Sequence, residues 1–323
     1  MKKIAVLTSG GDSPGMNAAI RAVVRSAVFN DIEVCGVFQG YQGLVDGDFK
    51  NLHVRSVAKI LGRGGTVLKS ARCEEFRSVE GRAKAFSNLK HQNIDGLVVI
   101  GGNGTFTGAM KLYEEHGFPV IGIPGTIDND LAGTDNTIGF DTATNTVVDA
   151  VDKIRDTADS HNRLFFVEVM GRDNGFIAIR AGIATGAIAV MSRETNLSVD
   201  DLVQVLAVGQ RSKKSSSIVI VAEGCDYGGA YELAKSVKAI TDLYDIRITV
   251  LGHLQRGGAP TCADRVLASR LGVEAVEALK NGKLNCMIGI VNDDLILTSF
   301  EDAIENKIHS LDDEVRIAKI LSI

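Results

Sequence analysis

The stretch Lys3–Arg21, KIAVLTSGGDSPGMNAAIR, decides the fold. Its first six residues, KIAVLT, form a nearly unbroken apolar run of strand length, the mark of a strand buried on both faces. Gly10 and Gly11 end that run. From about Asn17 onward, MNAAIRAVVRSAVF repeats apolar residues at helical spacing. Strand, glycine turn and helix together are the unit of a parallel sheet covered by helices. The unit recurs: EVCGVF, GLVVI, PVIGI, RLFFVEVM, SIVIVAE and IRITVLGH read as further strands. TATNTVVDAVDKIRDTA and CADRVLASRLGVEAVEALK read as further helices. The expected class is α/β with largely parallel sheets.

At 323 residues the chain has room for about two domains. No low-complexity linker separates two halves, so the chain is expected to cross between domains more than once. A composition of 45% hydrophobic and 23% charged residues is that of a folded globular protein. The net charge of −5 argues against a nucleic-acid partner, whose footprint is a basic surplus. No apolar stretch approaches the length that crosses a bilayer, and the apolar run in MKKIAVLTSGG is too brief for a secretory signal. Cys35, Cys73, Cys225, Cys262 and Cys286 are odd in number and lack metal-type spacing. Reduced thiols in a cytoplasmic protein are expected.

Thirty-five glycines against four prolines gather where the strands end, in SGGDSPG, RGGT, IGGNGTFTG, IPGT, MGRDNG and LGHLQRGG. Open α/β sheets bind ligands beyond the carboxyl ends of their strands, which locates the active cleft. Bare glycines let backbone N–H groups approach a phosphate, and the helix start that follows adds a favourable dipole. The Gly10–Gly11 loop lacks the Gly-Lys-Ser/Thr of a Walker A loop and does not fit G-x-G-x-x-G, which sets aside a nicotinamide-dependent dehydrogenase. VVIGGNGTFTGAM repeats the arrangement, with Gly102 and Gly104 flanking Asn103 ahead of Thr105. Either loop alone equally suits a plain strand-to-helix turn; two of them suit opposite sides of a polyphosphate.

Arginines recur at the same loop ends: Arg63 and Arg72 in GRGGTVLKSARC, Arg163 and Arg172 around one strand, and Arg247 and Arg256 around another, with His253 beside the last. Singly each reads as a solvated surface charge; together they suit an anionic substrate. PGTIDND at Pro124–Asp130 carries two carboxylates at the end of a buried strand. A tight turn would use such residues, and so would a catalytic loop. Phosphoryl transfer needs magnesium, positive charge and an oriented nucleophile. Asp128 can accept the proton of an attacking hydroxyl, Asp130 can support the metal or the loop, and Thr126 can hydrogen-bond the transferring oxygens.

Taken together, KKIAVLTSGGDSPGMNAAIRAVVR, GTDNTIGFDTA, VDKIRDTADSH, VEVMGRDNG and VLGHLQRGGAPTCADRVLASRLG resemble ATP-dependent 6-phosphofructokinases of the bacterial type over essentially the whole chain. The resemblance implies two doubly wound, Rossmann-like domains facing a central cleft. A nucleotide-binding domain would span 1–138 plus 256–305, and a sugar-phosphate-binding domain 139–255 plus 306–323. It implies transfer of the ATP γ-phosphoryl group to the 1-hydroxyl of fructose 6-phosphate, with Mg2+. Gly11, Tyr41, Arg72, Cys73 and Gly102 to Thr105 match the nucleotide side. Asp128 matches the proton acceptor, with Thr126, Asp130 and Arg172 around the reacting group. Met170, Gly171, Arg172, Glu223, His253 and Arg256 match the sugar-phosphate pocket. Arg163 and Arg247 match arginines that reach it from a neighbouring subunit, so a homotetramer is implied.

Pyrophosphate-dependent relatives carry an acidic residue at Gly104 and lysine at Gly125, where bulk would crowd the nucleotide's α-phosphate; glycine at both favours ATP. Asn103 stands where the family has a magnesium-associated aspartate. That departure implies weaker metal affinity or slower turnover, and it motivates a second reading as a weakly active, regulatory paralogue. Arg21, Arg25, Arg155 and Lys214 match basic residues that bind a nucleotide diphosphate or phosphoenolpyruvate effector. Lys59, Ile188 and Ser216 replace the usual acidic residue, a metal-binding glutamate and a histidine, so weakened or changed control is expected.

Overall fold

The computed structural model describes residues 1–159, 163–211, 217–305 and 310–322. Lys214 and Ser216 lie outside the described residues. By contact the chain divides into two units, one of Met1–Asp141 with Arg256–His309 and one of Thr142–Gln255 with Ser310–Ile323.

In unit one, Lys3–Thr8 forms β1, and its side chains alternate between two cores. Ile4 and Val6 face one core, Ala5 and Leu7 the other. This is what a fully apolar strand requires: both faces must be covered. The sheet runs β11–β10–β5–β4–β1–β2–β3, with β2 (Glu33–Val37), β3 (Phe49–Leu52), β4 (Gly96–Gly101), β5 (Val120–Pro124), β10 (Cys286–Val291) and β11 (Asp294–Ser299). It is parallel from β10 to β2 and antiparallel at its two edges, β11 and β3. Helices α1 (Met16–Phe29) and α9 (Cys262–Lys280) supply one core. The other is supplied by α2 (Tyr41–Asp46), α3 (Val79–His91), α4 (Asn103–His116) and α10 (Phe300–Glu305). The chain winds from β1 toward β2 in one direction and from β4 toward β5 in the other, so the topological switch point lies between β1 and β4.

Unit two holds a parallel sheet, β7–β8–β6–β9, of β6 (Arg163–Val169), β7 (Ala189–Met191), β8 (Ser217–Ala222) and β9 (Asp245–Val250). Leu164, Phe166, Val219 and Val221 pack with α7 (Val199–Arg211) and α8 (Gly229–Ile240). The alternate residues Phe165, Val167, Ile218 and Ile220 are also buried, so this sheet too is covered on both faces. Helices α5 (Phe140–Asp159), α6 (Phe176–Thr185) and α11 (Asp312–Leu321), with 3-10 turns at Glu75–Arg77 and Gly252–Arg256, complete the described secondary structure. None of the described helices is long and apolar enough to cross a membrane.

Candidate active site

Three loops leave the carboxyl ends of adjacent parallel strands in unit one: 9–15 after β1, 102 after β4 and 125–139 after β5. Their closeness is written into the glycines. A Cβ on Gly101 would sit 2.3 Å from Thr105 Oγ1 and 2.6 Å from the Ser9 carbonyl, so only glycine lets the β1 and β4 ends approach. Thr105 Oγ1 is buried there without a hydrogen-bond partner among the described residues. Neither α1 nor α4 has a side-chain N-cap; each begins behind a glycine. No carboxylate or hydroxyl therefore competes as a side-chain cap for the dipole at either helix start.

Beside these loops, a cavity of about 710 Å³ is lined by Gly11, Tyr41, Arg72, Cys73 and Gly104, all expected on the nucleotide side, together with Ser9, Phe76, Arg77, Gly108 and Lys111. The expected set missed those last five. Tyr41 and Phe76 stack with centroids 4.1 Å apart, and Tyr41 donates its hydroxyl to the Thr105 carbonyl. Burial pushes the Tyr41 hydroxyl far up, so it stays a neutral donor. A Cβ on Gly108 would lie 2.8 Å from the Tyr41 ring; the GTFTG glycine inside a helical run was the available signal for that wall. Burial likewise pushes the Cys73 thiol up, which argues for packing over reactivity. A Cβ on Gly104 meets nothing within 4 Å, so the space beyond that glycine is open.

Gly125 differs from expectation. Its Cβ would point at Ile100 Cγ2, 3.0 Å away, and Met16 Cε, 3.3 Å away, so a side chain there meets the core before it meets any ligand.

The PGTIDND loop is fixed by its own polar side chains. Thr126 Oγ1 accepts from the Asp128 N–H at 3.2 Å, while the Thr137 hydroxyl donates to the Thr126 carbonyl at 2.6 Å. Asn129, in the left-handed region at φ 52°, accepts from Thr137 N–H at 2.7 Å and donates to the Asp135 carbonyl at 3.1 Å. Ile127 is fully buried between them. The residues form a tight turn, and that turn holds Asp128, 8% exposed, in one place.

Asn103 opens α4 and donates its amide to Asp130 Oδ2 at 2.8 Å. A carboxylate oxygen only accepts, so the amide orientation is determined, and Asn103 Oδ1 is left buried without a hydrogen-bond partner among the described residues. An orphaned amide oxygen with the Asp128 and Asp130 carboxylates is an all-oxygen set of the kind magnesium takes, alongside phosphate and water. The residues fit that ion.

Arg256 enters unit one beside the first loop. Its Nη1 donates to the Asp12 carbonyl at 3.2 Å and would lie 2.6 Å from a Cβ on Gly11.

In unit two the same rule holds: the Met170–Arg172 loop follows β6, Glu223 follows β8, and His253 follows β9. Glu223 Oε1 accepts from Arg172 N–H at 2.8 Å and Gly171 N–H at 3.2 Å. Arg172 is non-glycine at φ 57°, a conformation costing about 1–2 kcal/mol, and two hydrogen bonds to a carboxylate offset it. The Arg172 and His253 side chains are exposed. Arg163 Nε and Arg247 Nη2 share Asp245 Oδ2, at 3.1 and 2.8 Å.

The expected effector residues fall on both units, and Lys214 lies outside the described residues. Arg21 and Arg25 stand on α1 of unit one, and Arg155 on α5 of unit two donates to the Thr185 carbonyl. Ile188, 6% exposed, belongs to the apolar core of unit two.

The phosphofructokinase family model matches residues 3–279. The chain belongs to the phosphofructokinase family. An ATP-dependent 6-phosphofructokinase 2 of Bacteroides thetaiotaomicron is 54% identical over 323 residues, covering all of this chain and 99% of that one. An ATP-dependent 6-phosphofructokinase of Bacillus subtilis is 53% identical over 324 residues, covering all of both chains. Among solved structures, the T-state phosphofructokinase of Pichia pastoris matches with a TM-score of 0.89 at 38% identity; it covers 98% of this chain, which spans only 36% of the longer yeast chain. A pyrophosphate-dependent phosphofructokinase from Marinobacter aquaeolei, 21% identical with a TM-score of 0.81 over 99% of this chain and 91% of its own, shares the phosphofructokinase fold.

Proposed function

We propose that the protein transfers the γ-phosphoryl group of ATP to the 1-hydroxyl of fructose 6-phosphate, a kinase step of glycolysis. The observation that carries this is full-length identity of 54% to a relative named ATP-dependent 6-phosphofructokinase, on a chain whose glycine loops meet at the switch point of its sheet. The open space beyond Gly104 supports a nucleoside triphosphate rather than pyrophosphate.

Unit one is the nucleotide side. The Tyr41–Phe76 stack and Gly108 shape a flat wall for the base. Gly11 and Gly102 to Thr105 approach the phosphates, and Arg72 offsets their charge. Asp128 accepts the proton of the sugar hydroxyl while Thr126 hydrogen-bonds the moving oxygens. Asn103, Asp128 and Asp130 would hold a magnesium ion, which when bound neutralises charge building on the phosphate oxygens. Unit two is the sugar-phosphate side. Met170, Gly171, Arg172, Glu223 and His253 bind there, with Arg256 from unit one, and Arg163 and Arg247 serve a neighbouring subunit of a homotetramer in the cytoplasm. Control by a nucleotide diphosphate or phosphoenolpyruvate at Arg21, Arg25, Arg155 and Lys214 is weak.

A coupled assay for fructose 1,6-bisphosphate, run with ATP and separately with pyrophosphate, tests the proposal. Turnover with ATP alone is expected; turnover with pyrophosphate alone, or with neither, contradicts it. A second reading, a poorly active regulatory paralogue, draws on the Asn103 amide bonded to Asp130; turnover far below that of ordinary sugar kinases would favour it.

A further inference from the structure

The loop after β6 is left-handed twice in succession, Gly171 at φ 146° and Arg172 at φ 57°. Three consecutive backbone N–H groups hold it, and all three go to side chains from other loops. Gly171 and Arg172 donate to Glu223 Oε1; Met170 donates to Gln255 Oε1 at 2.8 Å. Gln255 lies in the short 3-10 turn Gly252–Arg256 beyond β9, is completely buried (0% exposed), and is the last residue of its stretch of unit two before the chain re-enters unit one at Arg256.

The orientation of this amide is not arbitrary. A backbone N–H needs an acceptor, so Oε1 must face Met170, and Nε2 is then left buried without a hydrogen-bond partner among the described residues. An unsatisfied buried donor is unfavourable, and a methionine of similar length would remove it. What glutamine provides, and methionine does not, is the acceptor for Met170 N–H. Glu223 serves the next two amides through Oε1, and Met170 N–H is served by Gln255 instead.

We infer that Gln255 is a positioning residue for the phosphoryl acceptor. By fixing Met170 N–H it sets the path of the chain into the left-handed Gly171–Arg172 pair, and so the direction in which the Arg172 side chain leaves the loop. It acts through the backbone and does not itself contact the sugar phosphate. The inference rests on the proposed role of the Met170–Arg172 loop in binding fructose 6-phosphate.

The test compares wild type, Gln255→Met and Gln255→Glu in the full-length chain. Gln255→Met is expected to raise KM for fructose 6-phosphate about tenfold, the loss of roughly one well-made hydrogen bond, and to leave KM for ATP within about twofold. Amide exchange across 170–172, followed by mass spectrometry, is expected to accelerate in the same variant. Gln255→Glu keeps an oxygen acceptor and is expected to restore slower exchange and a lower KM. Wild-type KM and exchange in Gln255→Met would overturn the inference. So would an equal rise in both KM values with a lowered melting temperature, which is the signature of a merely structural residue. If the wild-type protein does not phosphorylate fructose 6-phosphate, the sugar-phosphate reading fails, and the exchange measurement still decides whether Gln255 holds the loop.

Discussion

Asp128 and Asn103 show how much of this site is decided by single side chains. Asp128 is held by a hydroxyl from Thr126 and, through Asn129 and Thr137, by a loop that cannot swing without breaking several short hydrogen bonds. Asn103 does something an aspartate cannot: it donates to Asp130. Replacing it by aspartate removes that bond, sets two carboxylates against each other, and adds a negative charge to the proposed metal-binding set. Ligand charge tunes divalent-cation affinity over decades, so Asn103→Asp should lower the magnesium concentration for half-maximal rate by roughly tenfold. The same variant should show a larger rise in melting temperature on adding magnesium, a readout that does not depend on turnover. Superimposable titrations of the two proteins would contradict this account of Asn103.

At the scale of elements, the proposed nucleotide wall depends on an ion pair whose arginine is buried and whose glutamate is partly exposed. Arg82 of α3, 5% exposed, meets Glu115 of α4 through Nε at 2.7 Å and Nη2 at 2.5 Å. Its Nη1 donates to the Phe76 and Arg77 carbonyls, at 3.0 and 2.7 Å. One guanidinium thus ties the turn that carries Phe76 to two helices. Removing Glu115 leaves the buried Arg82 guanidinium without its carboxylate, but the glutamate side of the pair reaches solvent, so Glu115→Ala should destabilise the protein by roughly 1–2 kcal/mol in urea unfolding; a change below about 0.5 kcal/mol would be the contrary result. The pair also sets an acid limit. The Arg82 hydrogen bond holds the Glu115 carboxyl below its ordinary 4.5, so its contribution is complete above that value and is lost as pH falls through the lower folded one. Arg82 could not have been singled out from sequence, because a lone arginine in a polar helix looks like a solvated charge until its partner arrives from 33 residues away. The long buried strands and the glycine loops were legible because hydrophobic runs and glycines are local signals. Strands β3 and β7 were not foreseen: FKNL is mostly polar at a sheet edge, and AVM is only three residues long. The β10–β11 hairpin was missed although its signal was present, since Asn292 and Asp293 both adopt positive φ in the turn between CMIGIV and DLILTS.

At the scale of the molecule, each unit presents its site loops at the carboxyl ends of its parallel strands, as an open α/β sheet requires. The chain crosses between units at 141, 255 and 309, and the sequence held no linker that would mark those points. Two features bear on assembly and control. Arg163 and Arg247 share one carboxylate on β9, the edge strand of its sheet, an arrangement that keeps two guanidinium groups together at a surface. Light scattering should therefore give a native mass about four times the 34.4 kDa chain if they serve a neighbouring subunit as proposed; a monomer would contradict that. Ile188 lines an apolar cavity of about 120 Å³ with Val190, Leu197 and Val315, and offers no ligand to a metal-bound diphosphate. Saturation by fructose 6-phosphate should accordingly be little changed by ADP, and a strongly sigmoidal curve relieved by ADP would be the opposing result.

The most direct test of the central claim is the kcat of Asp128→Asn with ATP and saturating fructose 6-phosphate. The amide keeps the size of the side chain and removes its capacity to take a proton. If Asp128 is the base, kcat falls by roughly 100-fold or more while the melting temperature and KM for ATP stay close to wild type. A variant that turns over within about twofold of wild type would show that the proton of the sugar hydroxyl goes elsewhere.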